Sequence, residues 1–157
     1  MKRPDFMGLA LAEAEAAAAR GEVPIGAVIA LSGDVVAKAG NRTRELNDPT
    51  AHAEILAIRQ AGLRLSAERI IDADIYVTLE PCTMCAAAIS FARLRRLYFG
   101  ALDEKGGAVV SGVRFFASPT CHHAPELYSG IGETQSVALL KTFFRAKRGK
   151  VDHRPGT

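Results

Sequence analysis

The sequence predicts an α/β protein with three layers, α/β/α, in which helices cover both faces of a five-stranded mixed sheet. Two observations carry this. An N-terminal helix and a strand hairpin are followed by segments that alternate between helix and strand. The strand segments, led by the Val- and Ile-rich run from Val23 to Leu31, read as buried. At 157 residues the chain is read as one domain over 1–157, closing with a basic helix over about 135–149 and a short tail over 150–157.

Each element has its own signal. Residues 5–20 read as a helix, with Pro4 before it and Gly21 after it. Val23–Leu31 is a strand, Ser32-Gly33-Asp34 a turn, and Val35–Gly40 the returning strand of a hairpin. Asn41–Pro49 is a polar loop, and a helix runs from near Thr50 to about Gly62. Asp74–Leu79 is the third strand, Pro81 to about Arg93 a helix, and Arg96–Gly100 the fourth strand. Gly106-Gly107 marks a loop, Val109–Phe116 fits a short helix, and Glu126–Ser129 a fifth strand. Gln135–Arg148 is an amphipathic helix. Val137, Leu140 and Phe144 line one face, flanked by Leu139 and Phe143, while Lys141, Arg145 and Arg148 line the other.

Composition narrows the function classes. Hydrophobic residues make up 48% of the chain, enough for a core, yet no uninterrupted apolar run could span a membrane. The basic start, Met1-Lys2-Arg3, lacks the apolar stretch of a secretory leader, so the expected location is cytoplasmic. The net charge of +3 is unevenly spread: Lys141 to Thr157 carries six basic residues against Asp152, a local +5 on a body of −2. A basic tail suits an anionic partner, with nucleic acid the first candidate. It equally suits a solvated helix C-terminus.

Three cysteines make a poor disulfide framework, but Cys82 and Cys85, three apart, make a good start to a metal site. Pro81 suits a first helical turn, which would place both thiols on one face of that turn, where the helix dipole favours thiolates. His52 lies near the start of its own helix, so two helix N-termini would point at one ion. Glu54, two residues on, lies roughly 200° around the axis from His52. It can flank a site off the helix end without being a good ligand, which suits a proton shuttle. Three ligands, one open position and a proton carrier are the parts of a catalytic zinc site. A closed structural site would need a distant fourth ligand from Cys121, His122 or His123. A second site built from those three alone is disfavoured, because adjacent residues rarely converge on one ion.

His-x-Glu followed by Pro-Cys-x-x-Cys is also the signature of zinc nucleobase deaminases. The wider runs resemble one branch of them. Asn41, Asp48-Pro49-Thr50-Ala51-His52-Ala53-Glu54, the stretch Tyr76 to Cys85, Phe99-Gly100-Ala101 with Asp103, and His123 with Glu126 are similar to the bacterial tRNA adenosine deaminases, over roughly residues 5–150. The resemblance implies a cytidine-deaminase-like fold, a homodimer, one zinc per chain, and deamination of the wobble adenosine of a tRNA anticodon stem-loop to inosine. It also implies that Asn41 and the Ala53 backbone hold the target base, and that Asp103 and His123 lie along the RNA rim. His122 stands where the family would carry asparagine.

RNA contact needs cations and planar groups. Arg42 and Arg44, in the loop after Asn41, and Arg145 and Arg148 on the terminal helix supply the charge. Phe143 and Phe144 suit base stacking, but aromatics at helical spacing are more often core. Arg93, Arg95 and Arg96 suit either an RNA surface or a solvated helix end. The helix after Pro81 is apolar nearly all round, fitting burial within one chain or against a second copy. Two other functions fit parts of the pattern. A free nucleobase or nucleotide deaminase would keep the chemistry, against which the basic residues speak. A catalytically silent zinc-folded RNA-binding subunit would be expected to lack Glu54.

Overall fold

Asp5 starts the first helix by accepting the N–H of Gly8 at 2.9 Å. The computed structural model describes residues 4–148, so the predicted tail over 150–157, with Lys150 and Arg154, lies outside the described residues, as does Gly149. Helix α1 (Phe6–Ala19) buries Phe6, Met7, Ala10, Ala14 and Ala17 on one stripe. Its alanines let it approach β1 (Gly26–Leu31) so closely that a Cβ on Gly26 would lie 1.9 Å from the Ala10 carbonyl oxygen. Strand β1 is shorter than the run predicted from Val23. Pro24 has no N–H to donate, and the Ile25 N–H turns back to the Val23 carbonyl at 2.8 Å. Ser32 and Gly33, at φ 53° and 83°, form the two-residue turn into β2 (Asp34–Gly40), with the left-handed backbone such hairpins require.

Helix α2 (Ala53–Leu65) starts later than predicted. Asp48 Oδ1 accepts both the N–H and the hydroxyl of Thr50, at 2.8 and 2.7 Å, and holds that residue in a turn. His52 becomes the cap instead. Strand β3 (Asp74–Leu79) leads into α3 (Thr83–Phe91), followed by β4 (Arg96–Ala101), β5 (Glu126–Tyr128) and α4 (Glu133–Arg148). The sheet order is β2-β1-β3-β4-β5. β1 runs antiparallel to both neighbours, and β3, β4 and β5 are parallel.

Alternation along the strands sets the layers. Ile29, Ile75, Val77, Leu97 and Phe99 pack under α2 and α3, while Val28, Tyr76 and Tyr98 face α1. On that second face Phe6, Tyr76, Tyr98 and Tyr128 form a ladder with ring centroids 5.2, 4.4 and 4.8 Å apart. The three layers thus match the sequence reading.

Other expectations fail for identifiable reasons. Val109–Phe116 forms no helix beyond one short 3-10 turn at Phe115–Ala117, because the Glu80 carboxylate captures the N–H groups of Val109, Val110 and Ser111. Phe143 and Phe144 are not core: α4 buries only Ser136 fully, Phe143 is half-buried under Lys147, and Phe144 is 44% exposed. Of the two readings of α3, burial wholly within one chain does not hold, since Phe91 is 69% exposed, while packing against a second copy stays open. Two of the three undecided arginines pair within the protein, Arg95 with Asp74 and Arg96 with Glu126. Among the described residues, no helix is long and apolar enough to cross a membrane.

Candidate active site

The carboxyl end of β3, the start of β1 and the end of β2 share one end of the sheet, and the chemistry-bearing residues gather there. His52 caps α2 and Cys82 caps α3. Pro81 therefore precedes the cap rather than opening the first turn. Cys85 still follows Cys82 by one turn, so both sulfurs face the same point. His52 Nδ1 lies 3.6 Å from the sulfur of Cys82 and 3.6 Å from that of Cys85. All three ligand atoms fall within 4.8 Å of one another. A tetrahedral zinc, with bonds of about 2.3 Å to sulfur and 2.0–2.1 Å to nitrogen, requires nitrogen and sulfur about 3.6 Å apart. The residues fit the ion.

The electrostatics agree. The Cys82 thiol is held down to about 4, chiefly by the hydrogen bond from Cys85 with His52 adding to it, against the opposing effect of burial. Cys85 is pushed up by sharing that bond and by burial, so one thiolate stands ready and metal would displace the second proton. His52 is raised by its contact with Cys82.

Glu54, in the first turn of α2, is 4% exposed. Burial pushes its carboxyl up, and its Oε1 is buried without a hydrogen-bond partner. A buried orphan acceptor beside a three-ligand cluster is the place for a water that donates to it.

Most of the remaining predicted residues lie around this corner, but His123 lies at the opposite end of α3 from Cys82. Ala53 is the buried first residue of α2. Asn41 is buried; its Nδ2 donates to Thr43 Oγ1 at 3.4 Å and its carbonyl accepts from Arg20 at 3.2 Å. Arg42 pairs with Glu45, and the Arg44 side chain is exposed. Asp103 Oδ1 accepts the N–H groups of Lys105 and Gly106, at 3.2 and 3.0 Å. It also lines a groove of about 760 Å³ with Leu79, Lys105, Phe144 and Arg148. Arg145 is exposed in the last turn of α4. His123 is tied to the end of α3: its Nε2–H donates to the Leu94 carbonyl at 2.7 Å. Cys121 turns to the His123 carbonyl and Ser90, so it does not join His122 and His123 around an ion.

Two buried carboxylates escaped the sequence reading. Glu22, 1% exposed, accepts the N–H groups of Arg44 and Glu45 at 3.0 and 3.4 Å and so pins the loop after Asn41. Glu80 holds the loop after β4. Burial works against its charge, but the donors from Asp103, Ser111 and Val109 keep its carboxyl below the usual range. The signal open to sequence reading was an acidic residue beside an apolar strand, which names no partner.

Fold and site together define a zinc deaminase, and residues 1–101 match the family model of the cytidine and deoxycytidylate deaminase zinc-binding region. A tRNA-specific adenosine deaminase of Agrobacterium fabrum is 67% identical over 94% of this chain and 97% of its own length. That of Bacillus subtilis is 39% identical over 92% and 90%. A structure solved in a study of A-to-I editing by tRNA:A34 deaminases superposes with a TM-score of 0.85 at 68% identity, covering 86% of this chain and 98% of that one. The chain belongs to the tRNA-specific adenosine deaminases within that zinc-binding family.

Proposed function

We propose that this protein deaminates adenosine at the wobble position of a tRNA anticodon, releasing ammonia and leaving inosine. The observation that carries the chemistry is the buried Glu54 carboxylate, whose Oε1 has no hydrogen-bond partner, beside the His52, Cys82 and Cys85 cluster. Those three residues would hold zinc, which when bound lowers the pKa of water in its open position toward neutrality. Glu54 takes one proton as water adds to C6 of the adenine and hands it to N1, then takes the second from the new C6 hydroxyl and delivers it to the departing amine, so ammonia leaves and the C6 carbonyl forms. Its raised pKa suits both directions of transfer. Burial of Glu54 and Ala53 keeps bulk water from that exchange.

Asn41 and the Ala53 backbone would hold the base. Arg42, Arg44, Asp103, Arg145 and Arg148 would meet the anticodon loop, whereas His123, at the far end of α3, stands apart from them in this chain. A single-stranded loop presents an unstacked base at little cost. Two copies would pair through the exposed apolar side of α3, where Phe91 stands in solvent. The expected location is the cytoplasm.

The test is incubation of the zinc-loaded protein with a tRNA transcript bearing adenosine 34, followed by mass spectrometry. Inosine at that position is expected. Its absence, with zinc bound and RNA intact, would move the substrate to free nucleobases or nucleotides.

A further inference from the structure

Glu80 stands between the end of β3 and the Cys82 cap and is 2% exposed. A carboxylate buried this deeply is tolerated only when its oxygens are satisfied. Oε1 accepts the Asp103 N–H at 3.0 Å and the Ser111 hydroxyl at 2.9 Å. Oε2 accepts the N–H groups of Val109, Val110 and Ser111 at 3.0, 3.0 and 2.9 Å. All five donors come from residues 103–111, and none from a metal-binding residue. The backbone closes the same seam, with the Ala108 N–H on the Pro81 carbonyl at 2.9 Å. A Cβ on Gly107 would lie 2.5 Å from the Glu80 carboxyl carbon, so glycine is what lets the loop settle on the charge. The loop so held carries Asp103 and Lys105, both lining the groove that Leu79, at the end of β3, shares with Phe144 and Arg148.

We propose that Glu80 is a positioning residue for the substrate: its carboxylate fixes the 103–111 loop as one wall of the groove and acts through Asp103 and Lys105 without touching the reacting atoms. The role in turnover rests on the deaminase reading above.

Glu80→Gln replaces one acceptor oxygen with an amide that would face N–H donors. Loss of one or two such bonds predicts a KM for an anticodon stem-loop raised about tenfold, with kcat changed less than about threefold and zinc content unchanged. Hydrogen exchange of the 103–111 amides should accelerate while those of α2 and α3 keep their protection. Ser111→Ala, which removes a single donor, should raise KM about two- to fivefold. An unchanged KM, a fall in kcat alone, or zinc loss matching the activity loss would overturn the role. If Glu80→Gln does not fold, Ser111→Ala decides by the same KM criterion. If the wild type makes no inosine, the deaminase reading fails. Exchange then decides the clamp: faster exchange confined to 103–111 supports it, and exchange spread over the whole chain overturns it.

Discussion

The metal-binding corner and the rim around it share one end of the sheet but are built by opposite means. At the corner, His52 and Cys82 are helix caps and Cys85 lies one turn in, so the starts of two helices packed side by side bring three ligand atoms together. At the rim, the loop after Asn41 and the loop after β4 contain little regular structure. Each is pinned by one buried carboxylate reaching across the fold, Glu22 to Arg44 and Glu80 to Ser111. The corner is set by the starts of two regular helices, while the rim is set by clamped loops and carries exposed cations. Changes at the corner should therefore cost turnover and stability, and changes at the rim should cost substrate affinity.

Removing zinc should have the largest effect. Structural zinc contributes roughly 10–16 kcal/mol in small peptides, comparable to a whole domain's stability. A third of that would lower the Tm by about 10 °C or more for a chain of this size. Calorimetry before and after verified chelation checks it, with recovery on adding zinc back. An unchanged melting curve would mean that the corner is held by its helices alone.

Glu54→Ala should separate chemistry from binding most sharply. Loss of a general acid–base typically costs about 10²–10⁴-fold in rate. Zinc content and RNA affinity should persist, because Glu54 Oε1 makes no hydrogen bond that the fold would lose. Single-turnover kinetics beside a binding titration reads both. Normal turnover would remove Glu54 from the proton path.

The rim should respond the other way. Arg145→Ala and Arg148→Ala remove exposed charges from the last turn of α4. For single-stranded RNA, each phosphate no longer neutralised should flatten the slope of log affinity against log salt by about 0.7. Weaker binding with kcat kept is expected. An unaltered salt slope would place these charges outside the RNA footprint and return them to the simpler role of complementing a helix C-terminus.

The same contrast decides what is legible in the sequence. Strand β3 is legible to the residue, because an apolar run bounded by Asp74 and Glu80 needs no distant information. Residues 109–116 read as a helix because their composition permits one, yet their N–H groups go to a carboxylate some thirty residues away. Helix α2 begins three residues beyond its expected start because one side chain, that of Asp48, captures Thr50. His52 meets the cysteines only because α2 packs beside α3, but Cys82 and Cys85, one helical turn apart, are legible as a pair. The clamps are not, because a lone glutamate in sequence carries no address. Periodicity alone assigns Phe144 to the core, but the far end of α4 extends past the layer it packs on.

That partial docking of α4 yields the smallest effect. Ser136 is the residue α4 buries fully, and its hydroxyl donates to the Thr78 carbonyl at 2.5 Å, tying the helix to β3. Thr78 in turn accepts the Gly26 N–H through its own hydroxyl at 3.1 Å, so the tie reaches the centre of the sheet. Ser136→Ala keeps the helix propensity and the packing but leaves that carbonyl one partner short. The cost of one buried hydrogen bond is about 1 kcal/mol, or roughly 2–4 °C in Tm. Because the bond anchors only the near end of α4, zinc content and kcat should stay fixed. RNA affinity should fall slightly, as the helix carrying Arg145 and Arg148 loosens against β3. A loss of kcat in this variant would break the division between corner and rim, because it would show that a rim helix positions the chemistry itself.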